Sequence, residues 1–208
     1  MSGSVSPGGP APPPAPWHSR IDAVLWWHRA LPTAGAPLPA GVGRPLPLTL
    51  GGLISYREGP VGPYGEVFAA RAALRGGLPT GHVPFMAVDS EPSEAGGRGN
   101  WALPKEVCAF AGADPGRPGP VTARGAGWEL TATTRLRPRE LPARAAARCA
   151  QAWPDGIVRA FGVTLRGRAW IGSVEVAGIT GAPAAWLRPG RHPALLLAGA
   201  QEVGPPAP

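Results

Sequence analysis

Short apolar or alternating runs, broken by glycine and proline, dominate the chain from residue 21 to residue 200. Runs of this kind predict β-strands, here at 21–30, 48–56, 65–74, 82–89, 120–136, 157–168, 169–179 and in the LLL segment near residue 196. One segment, RELPARAAARCAQA at 139–152, has a helix-forming composition and is long enough for more than three turns. The turn formers in SEPSEAGGRGN, at 90–100, predict a loop.

Strands at this density, with one helix and no regular βαβ alternation, predict a mainly β (α+β) fold with few helices. We expect an antiparallel sheet curled into a barrel or cone. The 208 residues suit one domain, which we place at 17–203. Residues 1–16 contain six prolines and no charged side chain, so we expect a disordered tail. We also expect residues 204–208 to form a flexible C-terminal tail.

Hydrophobic residues make up 44% of the chain, which is ample material for a core. The longest apolar run, PALLLAGA at 193–200, is too short to cross a bilayer. The first residues lack the basic start and apolar core of a secretory signal. We therefore expect a soluble, cytoplasmic protein with no membrane partner. Cys108 and Cys149 show no metal-binding spacing and are expected to be reduced and buried.

The chain is basic, with a net charge of +7 and an isoelectric point near 10.9, and such a charge can indicate nucleic-acid binding. However, the arginines are dispersed along the chain. Their one local concentration, at 135–148, has no interleaved aromatic residues and is typical of a solvated face. We expect no nucleic-acid partner.

The sequence lacks the residue patterns that are typical of metal-binding and nucleotide-binding sites. The histidines show no ligand spacing, which predicts no metal site; they are His18, His28, His82 and His192. No glycine-rich phosphate loop precedes a predicted helix, and no GxSxG motif is present. We expect no cofactor.

Lys105 is the only lysine among the 20 lysine and arginine residues. Arginine stays charged in proteins, whereas a lysine amine becomes a nucleophile when burial or a neighbouring cation makes it neutral. The residues on either side of Lys105, WALP and VCAF, predict a half-buried strand rather than an exposed loop. A single lysine is most often a surface charge, but this setting favours Schiff-base chemistry.

Three segments precede or contain this lysine: YGE at 64–66, DSEP at 89–92 and GRGNWALPKE at 97–106. In order and spacing they resemble the acetoacetate decarboxylase family, over about residues 50–110. The resemblance implies a β-cone whose interior holds a reactive lysine, here Lys105, which forms an imine with a small β-keto or α-keto acid. It implies that Glu66 is the active-site glutamate. We also expect the protein to form a homo-oligomer.

Three further residues are candidates for binding the substrate. Arg98 either binds a substrate carboxylate or braces its loop, with bracing the favoured interpretation. Tyr64 is interpreted as a packing residue with a hydrogen-bonded hydroxyl. Arg20 lies roughly where the family places an arginine in the site.

The sequence also departs from the family pattern. The decarboxylase has a second lysine after the reactive one, where this chain has Glu106, and a second family glutamate falls on Gly51 or Gly52. Adjacent strand residues point to opposite faces, so Glu106 need not contact the amine. Three hypotheses therefore stay open: a Schiff-base decarboxylase, an aldolase-dehydratase of the same fold, and a non-catalytic β-cone that binds a small carboxylate.

Overall fold

The computed structural model describes residues 11–31 and 38–207. Strands make up most of this part of the chain, together with one α-helix and a short 3₁₀ helix at Ala182–Ala185. In chain order the elements are β1 (Trp17–Arg29), β2 (Arg44–Glu58), β3 (Tyr64–Arg75), β4 (Leu78–Val88), α1 (Glu91–Trp101), β5 (Lys105–Val107), β6 (Ala109–Gly112), β7 (Gly119–Gly125), β8 (Trp128–Ala152), β9 (Val158–Thr180) and β10 (Gly190–Val203).

The strands of the described residues form one sheet in the order β5-β4-β3-β2-β1-β10-β9-β8-β7-β6. Neighbouring strands are antiparallel except for β4 and β5, which are parallel. One further parallel pairing, Gly81 with Cys149, joins β4 to β8 and closes the sheet on itself. The expectation of a mainly β, antiparallel cone with few helices is confirmed.

Side chains along each strand alternate between the two faces of this sheet, and the two faces have different surroundings. On β3, Val67 and Ala69 face a core in which β7 and the first part of β8 pack over the outside of β1–β4. Glu66, Phe68 and Ala70 alternate with them and face an internal cavity. The cone therefore has a packed outer layer and a hollow interior.

The helix expected at 139–152 is wrong, because these residues belong to the long strand β8. Arg144 pairs with Arg166 and Ala150 pairs with Ala160, so β9 supplies the hydrogen-bonding partner along this stretch. Pro142 would also interrupt a helix interior, whereas a strand that lacks a second neighbour over most of these residues tolerates it. Tertiary pairing here overrides the helix propensity of alanine and arginine. The arginines of this segment are mostly exposed.

The loop expected at 90–100 is also wrong, because Glu91–Trp101 forms α1. Ser90 caps the helix by accepting a hydrogen bond from the backbone N–H of Ser93 at 3.3 Å. The helix ends at Trp101, and the next residue, Ala102, adopts the left-handed conformation with φ of 51° and caps the helix. The glycines that suggested a loop serve close packing, since a Cβ at Gly96 would overlap the ring of Trp17.

Contacts extend beyond both predicted domain boundaries. Trp17 Nε1 and Asn100 Nδ2 donate to the carbonyl of Pro13 at 2.9 and 2.8 Å. Trp101 Nε1 donates to the carbonyl of Gly204 at 2.8 Å, and Ala207 bridges to Ala160. The ends of the described chain thus lie against α1 and β9. Residues 1–10 and 208, which belong to the predicted tails, lie outside the described residues.

Cys108 and Cys149 are unpaired thiols. Burial raises the pKa of each thiol to about 12, helped at Cys108 by the nearby Asp89 carboxylate. No helix in the described part of the chain has the length and apolar character needed to span a membrane.

The close approach of β1 and β2 gives a stability test. A Cβ at Gly51 would overlap the buried ring of Trp26. We expect Gly51→Ala to lower the free energy of unfolding by about 1–3 kcal/mol, the usual cost of overpacking a core. Urea unfolding measures the change. Gly178→Ala is the matched control, since a Cβ there meets no atom within 4 Å; an equal loss in both variants would contradict the packing argument.

Candidate active site

Lys105 lies inside the cone in a buried cluster with Glu66 and Ser93. The Lys105 Nζ is 2.9 Å from Glu66 Oε2, and the two side chains are only 4% and 3% exposed. Nζ also donates to Ser93 Oγ at 2.9 Å. The amine therefore contacts one carboxylate and one hydroxyl, in a place that bulk water hardly reaches.

Two stacked tyrosines cover the carboxylate. The rings of Tyr56 and Tyr64 are 4.1 Å apart and nearly parallel, and the Tyr56 hydroxyl donates to Glu66 Oε1 at 3.4 Å. The Tyr64 ring centroid lies 5.2 Å from Lys105 Nζ. Burial, followed by the negative charge of Glu66, raises the pKa of both phenols. Both hydroxyls therefore stay protonated near neutral pH and are available as hydrogen-bond donors.

Strand register brings the amine and the carboxylate together. Lys105 opens β5 and pairs with Met86 of β4, while Glu66 on β3 pairs with Val88 two residues further along β4. The lysine side chain spans this offset. Helix α1 lies over it, and Gly97 is the residue that leaves room, since a Cβ there would come within 2.5 Å of Lys105 Cδ.

The lysine backbone is held from α1 as well. Arg98 Nε donates to the Lys105 carbonyl at 2.6 Å, and the guanidinium also contacts Glu94 at 3.2 Å. The Arg98 side chain is 59% exposed and does not line the cavity. The bracing interpretation of Arg98 therefore fits the structure, and Arg98 does not reach the amine.

The cluster forms one end of a cavity of about 770 Å³. Apolar and aromatic side chains from β1, β2, β3, β4 and β9 make up most of its wall. Among the described residues that line it, the charged ones are Glu66, Arg71, Lys105 and Arg148. A cavity of this size with few polar groups is typical of small-molecule sites.

The two departures noted in the sequence have structural explanations. A Cβ at Gly52 would overlap the ring of Phe68, so an aromatic side chain occupies the space beside this position. Phe68 itself lines the cavity. Glu106 faces away from Lys105, and its carboxylate accepts a hydrogen bond from Trp128 Nε1. The acidic neighbour of the lysine therefore has a partner on the outer face of the sheet.

Of the residues expected from the sequence, Lys105, Glu66 and Tyr64 come together. Arg20 does not join them, because its side chain is 71% exposed and lies near Glu58 at 3.8 Å. The alternating neighbours of Arg20 on β1, Ser19 and Ile21, line the cavity instead. This parity places Arg20 on the outside of the cone.

Sequence reasoning missed Ser93 and Tyr56. Ser93 is fully buried and accepts from the amine, but the segment around it was interpreted as a loop. A serine N-cap, a proline in the first turn and acidic residues at 91 and 94 were the signal for a helix there. Tyr56 sits in a predicted strand, where nothing in the sequence separates it from a packing residue.

Known proteins match this chain in structure but not in sequence. No family model and no curated protein matches the sequence. An acetoacetate decarboxylase structure superposes with a TM-score of 0.71 at 18% identity, over 94% of this chain and 89% of that chain. An acetoacetate decarboxylase-like enzyme from Sphingomonas wittichii RW1 gives 0.71 at 18% identity, over 99% of both chains.

A third structure, the enduracididine biosynthesis enzyme MppR complexed with pyruvate, has a TM-score of 0.69 at 15% identity. It covers 94% of this chain and 90% of that chain. The protein therefore has the acetoacetate decarboxylase fold, as the sequence predicted. Within that fold, its buried lysine and glutamate lie at one end of an internal cavity.

The buried pair predicts a coupling that unfolding can measure. Removing one partner of a buried ion pair leaves the other charge uncompensated, and we expect Lys105→Met to cost about 3–5 kcal/mol of unfolding free energy. We expect Glu66→Gln to destabilise the fold for the same reason. The double variant should cost clearly less than the sum of the two single variants. Urea unfolding of the three variants tests this, and strictly additive losses would show that the two groups do not interact.

Proposed function

We propose that the protein is a lyase that forms a Schiff base between Lys105 and the carbonyl carbon of a keto acid. The observation that carries this proposal is the buried contact of 2.9 Å between the only lysine and Glu66, at the end of a cavity large enough for a substrate. The fold that the protein shares with acetoacetate decarboxylase supports it. Lysine amines are established nucleophiles toward carbonyl carbons in such sites.

The residues of the cluster have distinct roles in this proposal. Glu66 takes a proton from the Lys105 ammonium, which leaves a neutral amine and removes two opposite charges from a dry site. The amine attacks the ketone carbon, and water leaves as the iminium forms. The bond to the carboxylate then breaks, carbon dioxide departs, and its bonding electrons move to the iminium nitrogen. Because the departure of water consumes the proton that Glu66 took from Lys105, Glu66 takes up a second proton from solvent water and delivers it to the enamine carbon. Hydrolysis of the iminium that results then releases the product ketone.

Ser93 and Tyr56 position the reacting groups. The Ser93 hydroxyl is 2.9 Å from Nζ and fixes the direction of the amine. The Tyr56 hydroxyl, protonated because of its raised pKa, orients Glu66 through a bond of 3.4 Å. Holding reactive groups in place in this way is worth several orders of magnitude in rate.

A second candidate reaction is aldol condensation with dehydration through the same lysine. The observation that favours it is the ring of Phe68 beside Gly52, which is one of the two positions, Gly51 or Gly52, where the decarboxylase resemblance places a second glutamate. MppR, which shares the fold, has been solved with the condensation product of pyruvate and imidazole 4-carboxaldehyde. A cone that only binds a small carboxylate stays a hypothesis as well. A cytoplasmic location, a homo-oligomer, and the absence of a nucleic-acid or membrane partner stay predictions.

Borohydride reduction tests the imine directly. We expect incubation with a keto acid or ketone, followed by borohydride, to add one reduced adduct at Lys105, because the chain has no other lysine. Intact mass and peptide mapping measure it. The Lys105→Met variant is the control for adducts at the terminal amine. An adduct of equal yield in this variant, or an unmodified wild-type protein across several keto acids, would overturn the Schiff-base proposal.

Glu66→Gln separates proton transfer from binding. The amide keeps the shape of the side chain but does not titrate. Without the carboxylate, burial favours the uncharged amine of Lys105, so we expect the imine to form while turnover falls by roughly 10²–10⁴, the usual contribution of a general acid or base. Single-turnover rate per folded molecule is the measurement, with the folded fraction determined by urea unfolding on the same preparation. A rate constant equal to that of the wild type would remove Glu66 from the mechanism.

A further inference from the structure

The wall of the cavity carries almost no fixed charge between its two ends. At the inner end are Lys105 and Glu66, and the other charged lining residues among those described are Arg71 and Arg148. On the wall between them, Phe68 and Ala70 follow Glu66 along β3 and precede Arg71. Uncharged walls of this kind do not compensate a substrate charge, so a charged group of a substrate belongs at one end or the other.

The opening lies at the end far from the amine. Leu78, Pro79 and the alanines at 145–147 line the cavity and are exposed, whereas Lys105 and Glu66 are buried. Glu66 and Ala72 are six residues apart on β3, so this wall is roughly 20 Å long at about 3.3 Å per residue. A substrate that enters here must pass along apolar surface before its carbonyl reaches Nζ.

The cavity is much larger than a short keto acid requires. Its volume of about 770 Å³ lies in the upper part of the range of about 300–1,000 Å³ that holds drug-sized ligands. A short substrate would leave most of the apolar wall uncovered. An apolar tail attached to the same carbonyl head would cover it, and burying that tail is favourable.

We propose that the substrate is a 3-oxo acid, or a related carbonyl compound, whose apolar tail extends from the carbonyl toward the opening. The proposal rests on the Schiff-base function above and names its substrate class. The polar head lies at the inner end, against Lys105 and Glu66. The tail, roughly six carbons or more in a pocket of this size, contacts Phe68 and Ala70 and continues toward Leu78 and Gly81.

Methyl ketones of increasing length test the proposal, because each contains the carbonyl that the amine attacks. Borohydride trapping of the wild-type protein with acetone, 2-hexanone and 2-nonanone gives the half-saturating concentration of each. Burial of one methylene improves affinity about fourfold, and 2-nonanone has about six more methylenes than acetone, so full burial of the tail predicts saturation at a concentration roughly 4 × 10³-fold lower than acetone. Half-saturating concentrations that agree within threefold, or that favour acetone, would overturn the tail proposal.

Alcohols of matched length separate the tail from the imine. An alcohol such as 2-nonanol cannot form a Schiff base, yet its chain fits the same apolar wall. We expect the melting temperature of the protein to rise more with 2-nonanol than with 2-propanol. If no ketone traps but this trend holds, the Schiff-base function fails and the tail site stands. If ketones trap without any length preference, the function stands and the tail proposal fails.

Gly81 lies at the outer end of the cavity, and a larger side chain at this position would shorten the space available to the tail. Gly81 lines the cavity, and a Cβ there would make ordinary contacts with Cys149 Sγ at 3.7 Å and with the Arg148 carbonyl at 3.8 Å. Gly81→Leu should therefore lower the affinity for 2-nonanone relative to that for acetone by about 16-fold, the cost of about two lost methylene contacts at roughly fourfold each.

The matched control is Gly178→Leu, an exposed strand glycine whose Cβ would meet no atom within 4 Å. We expect its ratio of 2-nonanone to acetone affinity to stay within twofold of the wild-type ratio. An unchanged ratio in Gly81→Leu, or an equal change in both variants, would show that the tail does not reach the outer end of the cavity. The length series on the wild-type protein does not depend on either variant folding.

Discussion

The contact between the Lys105 ammonium and the Glu66 carboxylate places two opposite charges where almost no water reaches them. Removing such ions from water costs several kcal/mol each, and close approach with additional hydrogen bonds is what offsets that cost. Both requirements are met here, since the pair is 2.9 Å apart, Lys105 Nζ donates to Ser93 Oγ, and Glu66 accepts from the Tyr56 hydroxyl. The closed sheet and the capping helix are the means by which a lysine and a glutamate are kept this dry.

Space around the pair is controlled by glycine as much as by polar contacts. Gly97 lets α1 approach the aliphatic part of Lys105, and Gly96 lets the same helix approach Trp17. Larger residues at either position would push the helix outward and admit water to the amine. The helix that holds Ser93 is therefore rich in glycine despite the usual helical cost of about 1 kcal/mol for each glycine. Packing against β1 and Lys105 overrides that cost.

Much of this site follows from the sequence, and the rest depends on tertiary contacts. Lys105, Glu66 and Tyr64 were found because a unique lysine in an apolar strand and three ordered motifs mark them. Arg20 was misplaced because a one-residue shift along a strand moves a side chain to the opposite face, and the loose alignment did not fix that register. Ser93 was missed because glycine content obscured a helix whose capping serine and acidic first turn were visible.

Strand β8 is a longer segment whose structure also depends on tertiary contacts that the sequence pattern does not reveal. Its alanine and arginine composition favours a helix, and only the pairing with β9 makes it a strand. That pairing matters for the site, since residues 145–149 of β8 line the cavity and Cys149 joins Gly81 to close the sheet. A helix in their place would have left the cavity open along one side.

On the proposed chemistry, decarboxylation and aldol condensation share every step up to the iminium. Both then pass through an enamine, which forms by loss of carbon dioxide in the first reaction and by loss of an α-proton in the second, so the lysine alone does not select between them. The selection rests on what meets the enamine carbon, which is either a proton or a second carbonyl carbon. Among the described residues that line the cavity, Glu66 is the carboxylate, and it lies beside the amine. An apolar tail that fills the remaining volume leaves no space for a second carbonyl substrate. Proton transfer from Glu66 is then the accessible outcome, so a long substrate and decarboxylation favour each other.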